Sequence, residues 1–163
     1  MNLRSLALPL VVVGIVSGYG YFTQAHRDAG GAIDSGGRID AFDIRVGDCF
    51  NDSSSASTDE YEEVSSVGAV PCSEPHDNEV YAVFDLSLDE FPGRDEISNL
   101  AVEECVQRFE GFVGRDYQSS SLDVNPLYPT IEGWTAMGDR EIVCSVYDME
   151  FNKLTGSARG TGI

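Results

Sequence analysis

The sequence has few basic residues and a large excess of acidic ones. Among its 163 residues, one Lys and nine Arg stand against 28 Asp and Glu, which gives a formal net charge of −18 and a pI near 4.1. Binding to nucleic acid or to an anionic lipid surface depends on neutralising phosphates with Lys and Arg. The composition therefore predicts no nucleic-acid partner and favours cationic partners.

Several motifs of enzymes and metal sites are also missing. The chain contains no G-x-S-x-G elbow of a serine hydrolase and no EF-hand calcium loop, and its cysteines are too far apart for the C-x-x-C pairs of zinc sites. It has only two histidines, and only His76 lies in the predicted folded domain, so a site with several histidines is excluded. We expect no metal, no cofactor and no enzymatic activity.

The first 25 residues differ from the rest of the chain. Residues 5–25 carry no charge, and a segment of roughly 17–25 apolar residues can span a bilayer as a helix. A cleaved signal peptide is the alternative, but Tyr19, Tyr21 and Phe22 suit the lipid–water interface and favour an uncleaved anchor. We expect a single-pass cell-membrane protein with an extracytoplasmic domain, which would be secreted if residues 1–25 were removed.

Gly14 and Gly18 in this segment have the spacing that lets two membrane helices approach closely. Glycine-rich apolar segments produce this spacing often by chance. The pair therefore predicts at most a weak homodimer.

Four cysteines follow the apolar segment: Cys49, Cys72, Cys105 and Cys144. An even number in an exported domain is typical of two disulfides, each adding roughly 2–4 kcal/mol. Three pairings are possible, and the sequential one would join strand to strand and helix to strand. A metal site is one alternative, and a catalytic thiol, with Cys72 four residues before His76, is another.

The hydrophobic pattern after the anchor predicts a flexible glycine-rich linker over 26–38 and an exported domain over 39–160. A first strand is predicted to carry Ile39 to Val46. A second strand would end at Val70, and a third would cover Glu79–Leu86 with Val80 and Ala82 on one apolar face. The polar, serine-rich stretch 51–58 between the first two strands is predicted to be a loop.

The second half of the domain contains the main helix. Five residues recur at steps of four, four, four and three, which is typical of one buried helical face: Ile97, Ala101, Cys105, Phe109 and Phe112. An irregular strand over 122–128 and a strand over 140–147 follow, and the last strand turns Cys144 toward the core. The element order predicts an α+β domain in which a small antiparallel sheet packs against one amphipathic helix, stapled by two disulfides.

Four motifs resemble those of one protein family. They are Val46-Gly47-Asp48-Cys49-Phe50, then Val70-Pro71-Cys72-Ser73-Glu74-Pro75-His76-Asp77 with Glu79-Val80-Tyr81, then Pro129-Thr130 with Trp134 and Gly138-Asp139-Arg140, and finally Leu154-Thr155-Gly156-Ser157. Together these motifs, within residues 42–160, resemble the actinobacterial septum formation family. The resemblance implies an envelope protein with paired cysteines, often joined to a membrane segment. It implies no known catalytic mechanism.

The second motif supplies a candidate site at Glu74, His76 and Asp77. In a functional interpretation, His76 is a general base oriented by a carboxylate, or a metal ligand together with both acids. In a structural interpretation, which we favour, the three residues form a turn that sets up the next strand. A hydrolase with Ser73 as nucleophile is a further alternative.

The third motif supplies a second candidate site at Trp134, Asp139 and Arg140. Trp134 would be an exposed platform for a sugar or a partner in a functional interpretation. We favour a structural one, in which Trp134 caps the core and an Asp139–Arg140 salt bridge closes the turn.

We expect a non-enzymatic, membrane-anchored module that binds envelope or division proteins through one of these two turns. A sensor or sugar-binding domain is the first alternative, and it requires a pocket lined by Trp134 or tyrosines. An envelope hydrolase is the second, and it requires His76 within reach of a nucleophile.

Overall fold

The computed structural model of the chain describes residues 24–52 and 63–163. Most of the predicted anchor, including Gly14 and Gly18, and most of the serine-rich stretch 51–58 lie outside these residues. Within the described ranges, no helix is both long and apolar enough to cross a bilayer.

The described residues form an α+β fold, as predicted. Eight strands and one long helix follow one another as β1 His26–Arg27, β2 Ile33–Ser35, β3 Gly37–Asp40, β4 Cys49–Asn51, β5 Ser66–Val70, β6 Asn78–Asp85, α1 Arg94–Val113, β7 Leu122–Leu127 and β8 Glu141–Asp148. Strands β3 to β8 build one six-stranded antiparallel sheet in the order β3-β5-β4-β6-β8-β7. Strands β1 and β2 form a separate small hairpin.

Helix α1 confirms the prediction from hydrophobic spacing. Its first turn carries Asp95 and Glu96, whose charges favour the positive N-terminal end of the helix dipole. Gly114 ends the helix in a left-handed conformation with φ 82°, which a residue with a Cβ adopts less readily. All five predicted core residues of the helix are buried, and four of them (Ala101, Cys105, Phe109 and Phe112) belong to one cluster with residues of the sheet.

A second hydrophobic cluster lies apart from the helix and contains mainly residues of the N-terminal half. Its buried members include Ile33, Ile39, Ile44 and Phe50. Val80 belongs to this second cluster, whereas Ala82 and Phe84 pack into the cluster with α1. The prediction that Val80 and Ala82 share a face was wrong, because the β6–β8 register shifts between these two residues and reverses the alternation.

Two disulfides are present with the sequential pairing. Cys49–Cys72 joins β4 to the turn after β5, and Cys105–Cys144 joins α1 to β8. The described part of the chain contains no free cysteine. The second bridge therefore fastens the helix to β8, between β6 and the edge strand β7, as the predicted inward-facing position of both cysteines indicates.

The N-terminal part of the domain differs from the prediction. Strand β3 ends at Asp40, whose carboxylate accepts a hydrogen bond from the backbone N–H of Phe42 and starts a short 3-10 turn instead of a longer strand. Residues 26–38, predicted as a flexible linker, contain β1 and β2 and begin β3, which pairs with β5. This range is ordered because it packs against distant parts of the chain, and its glycine-rich composition gives no sign of those partners.

Candidate functional site

The turn after Cys72 holds the first candidate site, and His76 is its buried centre. The imidazole is fully buried, and its Nδ1–H donates to the backbone carbonyl of Glu74 at 2.8 Å. The backbone of His76 pairs with that of Leu154 in the C-terminal segment. The turn therefore orients the start of β6, which agrees with the structural interpretation.

Glu74 and Asp77 do not join His76 in a metal site. The Glu74 side chain is exposed. The Asp77 carboxylate lies 2.6 Å from the Lys153 ammonium and also accepts a hydrogen bond from the backbone N–H of Asp52. A ligand set of Glu74, His76 and Asp77 is thus not assembled in this structure.

A different group of residues lies around the imidazole. Potential ligand atoms of Cys49, His76 and Glu79 lie within 4.8 Å of one another, and all three residues are buried. Glu79 already accepts hydrogen bonds from the Ser157 hydroxyl and the Ala158 backbone N–H. Because the Cys49 sulfur is in a disulfide, it provides no thiolate, and the group as it stands does not fit a zinc site.

His76 Nε2 is buried and has no hydrogen-bond partner among the described residues. No serine hydroxyl of the described chain therefore lies within hydrogen-bonding reach of this nitrogen. The geometry that the hydrolase hypothesis requires is not formed here.

The second candidate site is the helical turn before β8. The Thr130 hydroxyl accepts a hydrogen bond from the backbone N–H of Gly133 and caps this turn. Trp134 is buried, with its ring edge-on to Phe91 at a centroid distance of 5.7 Å. Trp134 is thus part of the protein interior and not an exposed stacking platform.

Arg140 covers the outer face of Trp134. Its guanidinium carbon lies 3.7 Å from the ring centroid, and its N–H groups donate to the backbone carbonyls of Trp134, Asp139 and Leu88. The Asp139 carboxylate instead accepts the backbone N–H of Glu141. The prediction of an Asp139–Arg140 salt bridge was therefore wrong, because both side chains form hydrogen bonds with backbone groups instead.

An open groove of about 410 Å³ lies directly beside this turn. Its lining combines three carboxylates, two apolar side chains and the turn itself: Asp85, Asp139, Glu141, Phe42, Met137, Gly138 and Arg140. Phe42 and Met137 are 58% and 66% exposed, which is unusual for large apolar side chains. The small-ligand hypothesis requires a lining of Trp134 or tyrosines, and this groove has neither.

The sequence motif contained Gly138, Asp139 and Arg140 but not the other groove residues. Asp85 and Glu141 face each other across β6 and β8, so two like charges occupy opposite positions in the ladder. Their proximity depends on the pairing of strands that are far apart in the chain. Alternation within each strand gave no sign of it.

The groove raises the pKa of Glu141 above its ordinary value. The largest cause is partial burial of the carboxyl group, followed by repulsion from Asp139 and Asp85. Each effect disfavours the ionised form. The folded protein therefore holds an unfavourable negative charge here at neutral pH.

We expect Glu141→Gln to stabilise the protein at pH 7, because the variant removes the charge that the fold disfavours. An acid whose pKa is raised by folding destabilises the fold above its folded pKa. The gain should therefore shrink as the pH falls through the raised pKa of Glu141 and vanish below its unfolded value. Urea unfolding of the unchanged protein and of Glu141→Gln across this pH range measures the gain in the free energy of unfolding.

Glu103→Gln, on the exposed side of α1, is the matched control for this substitution. A gain of equal size in the control, or a gain from Glu141→Gln that persists at low pH, would show that the groove charge is not its cause.

The comparison with protein families identifies the family of this chain. A family model described as septum formation matches residues 46–161. The comparisons with curated proteins and with solved structures found no match. The matched range contains all four cysteines, the His76 turn and most of the groove, and it covers well over half of the sequence. The chain therefore belongs to the septum formation family.

Proposed function

We propose that this protein is a non-enzymatic, membrane-anchored extracytoplasmic module that serves cell division by binding another envelope or division protein. Its membership of the septum formation family supports the process. The two disulfides support an oxidising, extracytoplasmic location. The uncharged residues 5–25 supply the proposed anchor.

The groove beside the Trp134 turn is the proposed binding surface, and its composition is the observation that carries the proposal. Exposed Phe42 and Met137 offer apolar area, while Asp85, Asp139 and Glu141 supply negative charge. Interfaces commonly combine such apolar contacts with charge complementarity to the partner.

The proposed occupant is a partner segment with a Lys or Arg side chain beside an apolar one. A cation in the groove would offset the repulsion that raises the pKa of Glu141. An anionic segment would add to this repulsion, which the net charge of −18 increases further.

The test is an in-cell crosslinking pull-down of the full-length protein. Met137→Lys places a positive charge in the groove without touching the core, since Met137 is largely exposed. We expect it to reduce the recovery of septal or wall-synthesis proteins about tenfold, a loss of about 1.4 kcal/mol in binding. The pull-down is quantified by mass spectrometry.

Met149→Lys is the matched control, because Met149 is 55% exposed and lies outside the lining of the groove. It should recover the same partners as the unchanged protein. Unchanged recovery with Met137→Lys, or recovery of no division protein with any version, would contradict the proposal.

A further inference from the structure

The two disulfides differ in how exposed their cysteine residues are to solvent. Cys105 and Cys144 are both fully buried. In the other bridge, Cys49 is fully buried but Cys72 is partly exposed, in the turn after β5. Cys72 is therefore the side of this bridge that an incoming thiolate would approach, with Cys49 as the inner leaving group. Thiol–disulfide exchange depends on this kind of access.

The surroundings of the Cys49 sulfur contain an unused proton site. A ring nitrogen of His76 and a carboxylate oxygen of Glu79 lie within 4.8 Å of this sulfur and of each other. The bond from Nδ1–H to the Glu74 carbonyl leaves Nε2 as the nitrogen that can take up a second proton. Buried polar atoms without a partner are rare, so the open position of Nε2 calls for an explanation.

We propose that Cys49–Cys72 is an exchangeable disulfide, and that His76 is the acid–base group for its buried sulfur. An external thiolate attacks Cys72 Sγ and forms a mixed disulfide with it. The Cys49–Cys72 bond breaks, its electron pair goes to Cys49, and protonated His76 Nε2 transfers its proton to the resulting thiolate. In the reverse direction Nε2 removes this proton, and the Cys49 thiolate attacks the mixed disulfide.

The reaction partner is a dithiol or disulfide of the cell envelope. When a dithiol reacts, its second thiol displaces Cys72 from the mixed disulfide, so the partner is oxidised to a disulfide and the protein bridge gains two electrons. The Glu79 carboxylate lies beside the imidazole that carries the proton in this step.

This role is independent of the groove. The His76 turn and the groove involve different residues, so partner binding through the groove can fail while the exchange reaction persists.

The test measures the reduction of both disulfides in purified, full-length protein. Reduced dithiothreitol is added, and free thiols are alkylated at intervals and assigned by peptide mass spectrometry. We expect Cys49–Cys72 to open at least about tenfold faster than Cys105–Cys144. With reduced glutathione, the first mixed disulfide should form on Cys72 and not on Cys49.

His76→Gln separates proton transfer from a merely structural role. Glutamine can still donate to the Glu74 carbonyl but cannot transfer a proton as imidazolium does. We expect reduction of Cys49–Cys72 to slow about tenfold or more, within the range that general acid catalysis contributes. Ser73→Ala, at an exposed neighbour in the same turn, should leave the rate unchanged.

The Cys105–Cys144 bridge is an internal control for folding. If His76→Gln only loosened the fold, both bridges would be reduced faster, which is opposite to the expected slowing. If the variant does not fold, the proposal is tested in the unchanged protein, by the reduction rates of its two bridges and by the cysteine to which glutathione first attaches. Equal reduction rates for the two bridges, or glutathione attached first to Cys49, would overturn the proposal.

Discussion

Arg27→Ala is expected to lower the free energy of unfolding by about 3–5 kcal/mol, the usual cost of removing one partner of a buried ion pair. The guanidinium of Arg27 donates two hydrogen bonds to the Asp48 carboxylate, at 2.5 and 2.7 Å. The two side chains are only 17% and 2% exposed. Without Arg27, Asp48 would remain buried as a largely uncompensated charge.

The pair also connects the N-terminal hairpin to the start of β4. Arg27 lies in β1, whereas Asp48 directly precedes Cys49 and also accepts the backbone N–H of Arg45. The carboxylate raises the pKa of Arg27 further, chiefly through their hydrogen bonds. The pair therefore remains charged at all pH values at which Asp48 is ionised.

Urea unfolding at pH 7 measures the loss, with Arg45→Ala as the matched control. Arg45 has an exposed side chain, and its alanine variant keeps the backbone N–H that Asp48 accepts. The control also removes one positive charge, three residues from Asp48. We expect it to change the free energy of unfolding by no more than about 0.5 kcal/mol, as for most surface substitutions. Similar losses from both substitutions would mean that the buried pair is not the cause.

Helix α1 and the N-terminal hairpin show where prediction from sequence succeeds and where it fails. Helix α1 was predictable because its buried face repeats within the segment itself, and Cys105 belongs to that repeat. The hairpin over 26–35 was not predictable, because it depends on Arg27 meeting Asp48 in a distant part of the chain. Contacts of this kind leave no local periodicity.

Strand β6 shows a second limit. Its alternating residues identified a strand correctly, but a register shift after Val80 moves this residue to the other cluster. A bulge depends on how the partner strand pairs, and here that strand is β8. Alternation within one strand cannot reveal it.

The candidate sites show the same difference between what is local in the sequence and what depends on the fold. The motifs identified His76, Trp134 and Arg140, and all three have defined positions in the fold. The neighbours that determine their chemistry come from other elements, for example Glu79 beside His76 and the carbonyls around Arg140. Residue type could not show that Arg140 binds backbone carbonyls instead of the Asp139 carboxylate.

Arg140→Ala is expected to destabilise the protein by about 2–4 kcal/mol, since it removes several charge-assisted hydrogen bonds and a cation–π contact. The guanidinium spans the Trp134 turn and the loop before α1, where it reaches the carbonyls of Leu88 and Asp89 at 3.1 and 3.4 Å. In the alanine variant these carbonyls lose the guanidinium that donates to them, and the face of the Trp134 ring that it covers is left open.

Arg140→Lys tests whether geometry or charge provides this stability. Lysine keeps the positive charge, but a single ammonium cannot reproduce the planar set of donors that reaches four backbone carbonyls while stacking on an indole. We therefore expect urea unfolding to show that lysine recovers less than half of the loss. Full recovery would mean that a positive charge at this position is sufficient.

The groove gives Arg140→Ala a second consequence, because Met137 and Asp139 belong to the turn that Arg140 holds. Partner recovery in the pull-down should fall even where the variant protein remains folded. Arg115→Ala, which removes an exposed arginine remote from the groove lining, should reduce neither stability nor recovery appreciably. Loss of stability with full partner recovery would assign Arg140 to the fold alone and would place the binding surface elsewhere on the domain.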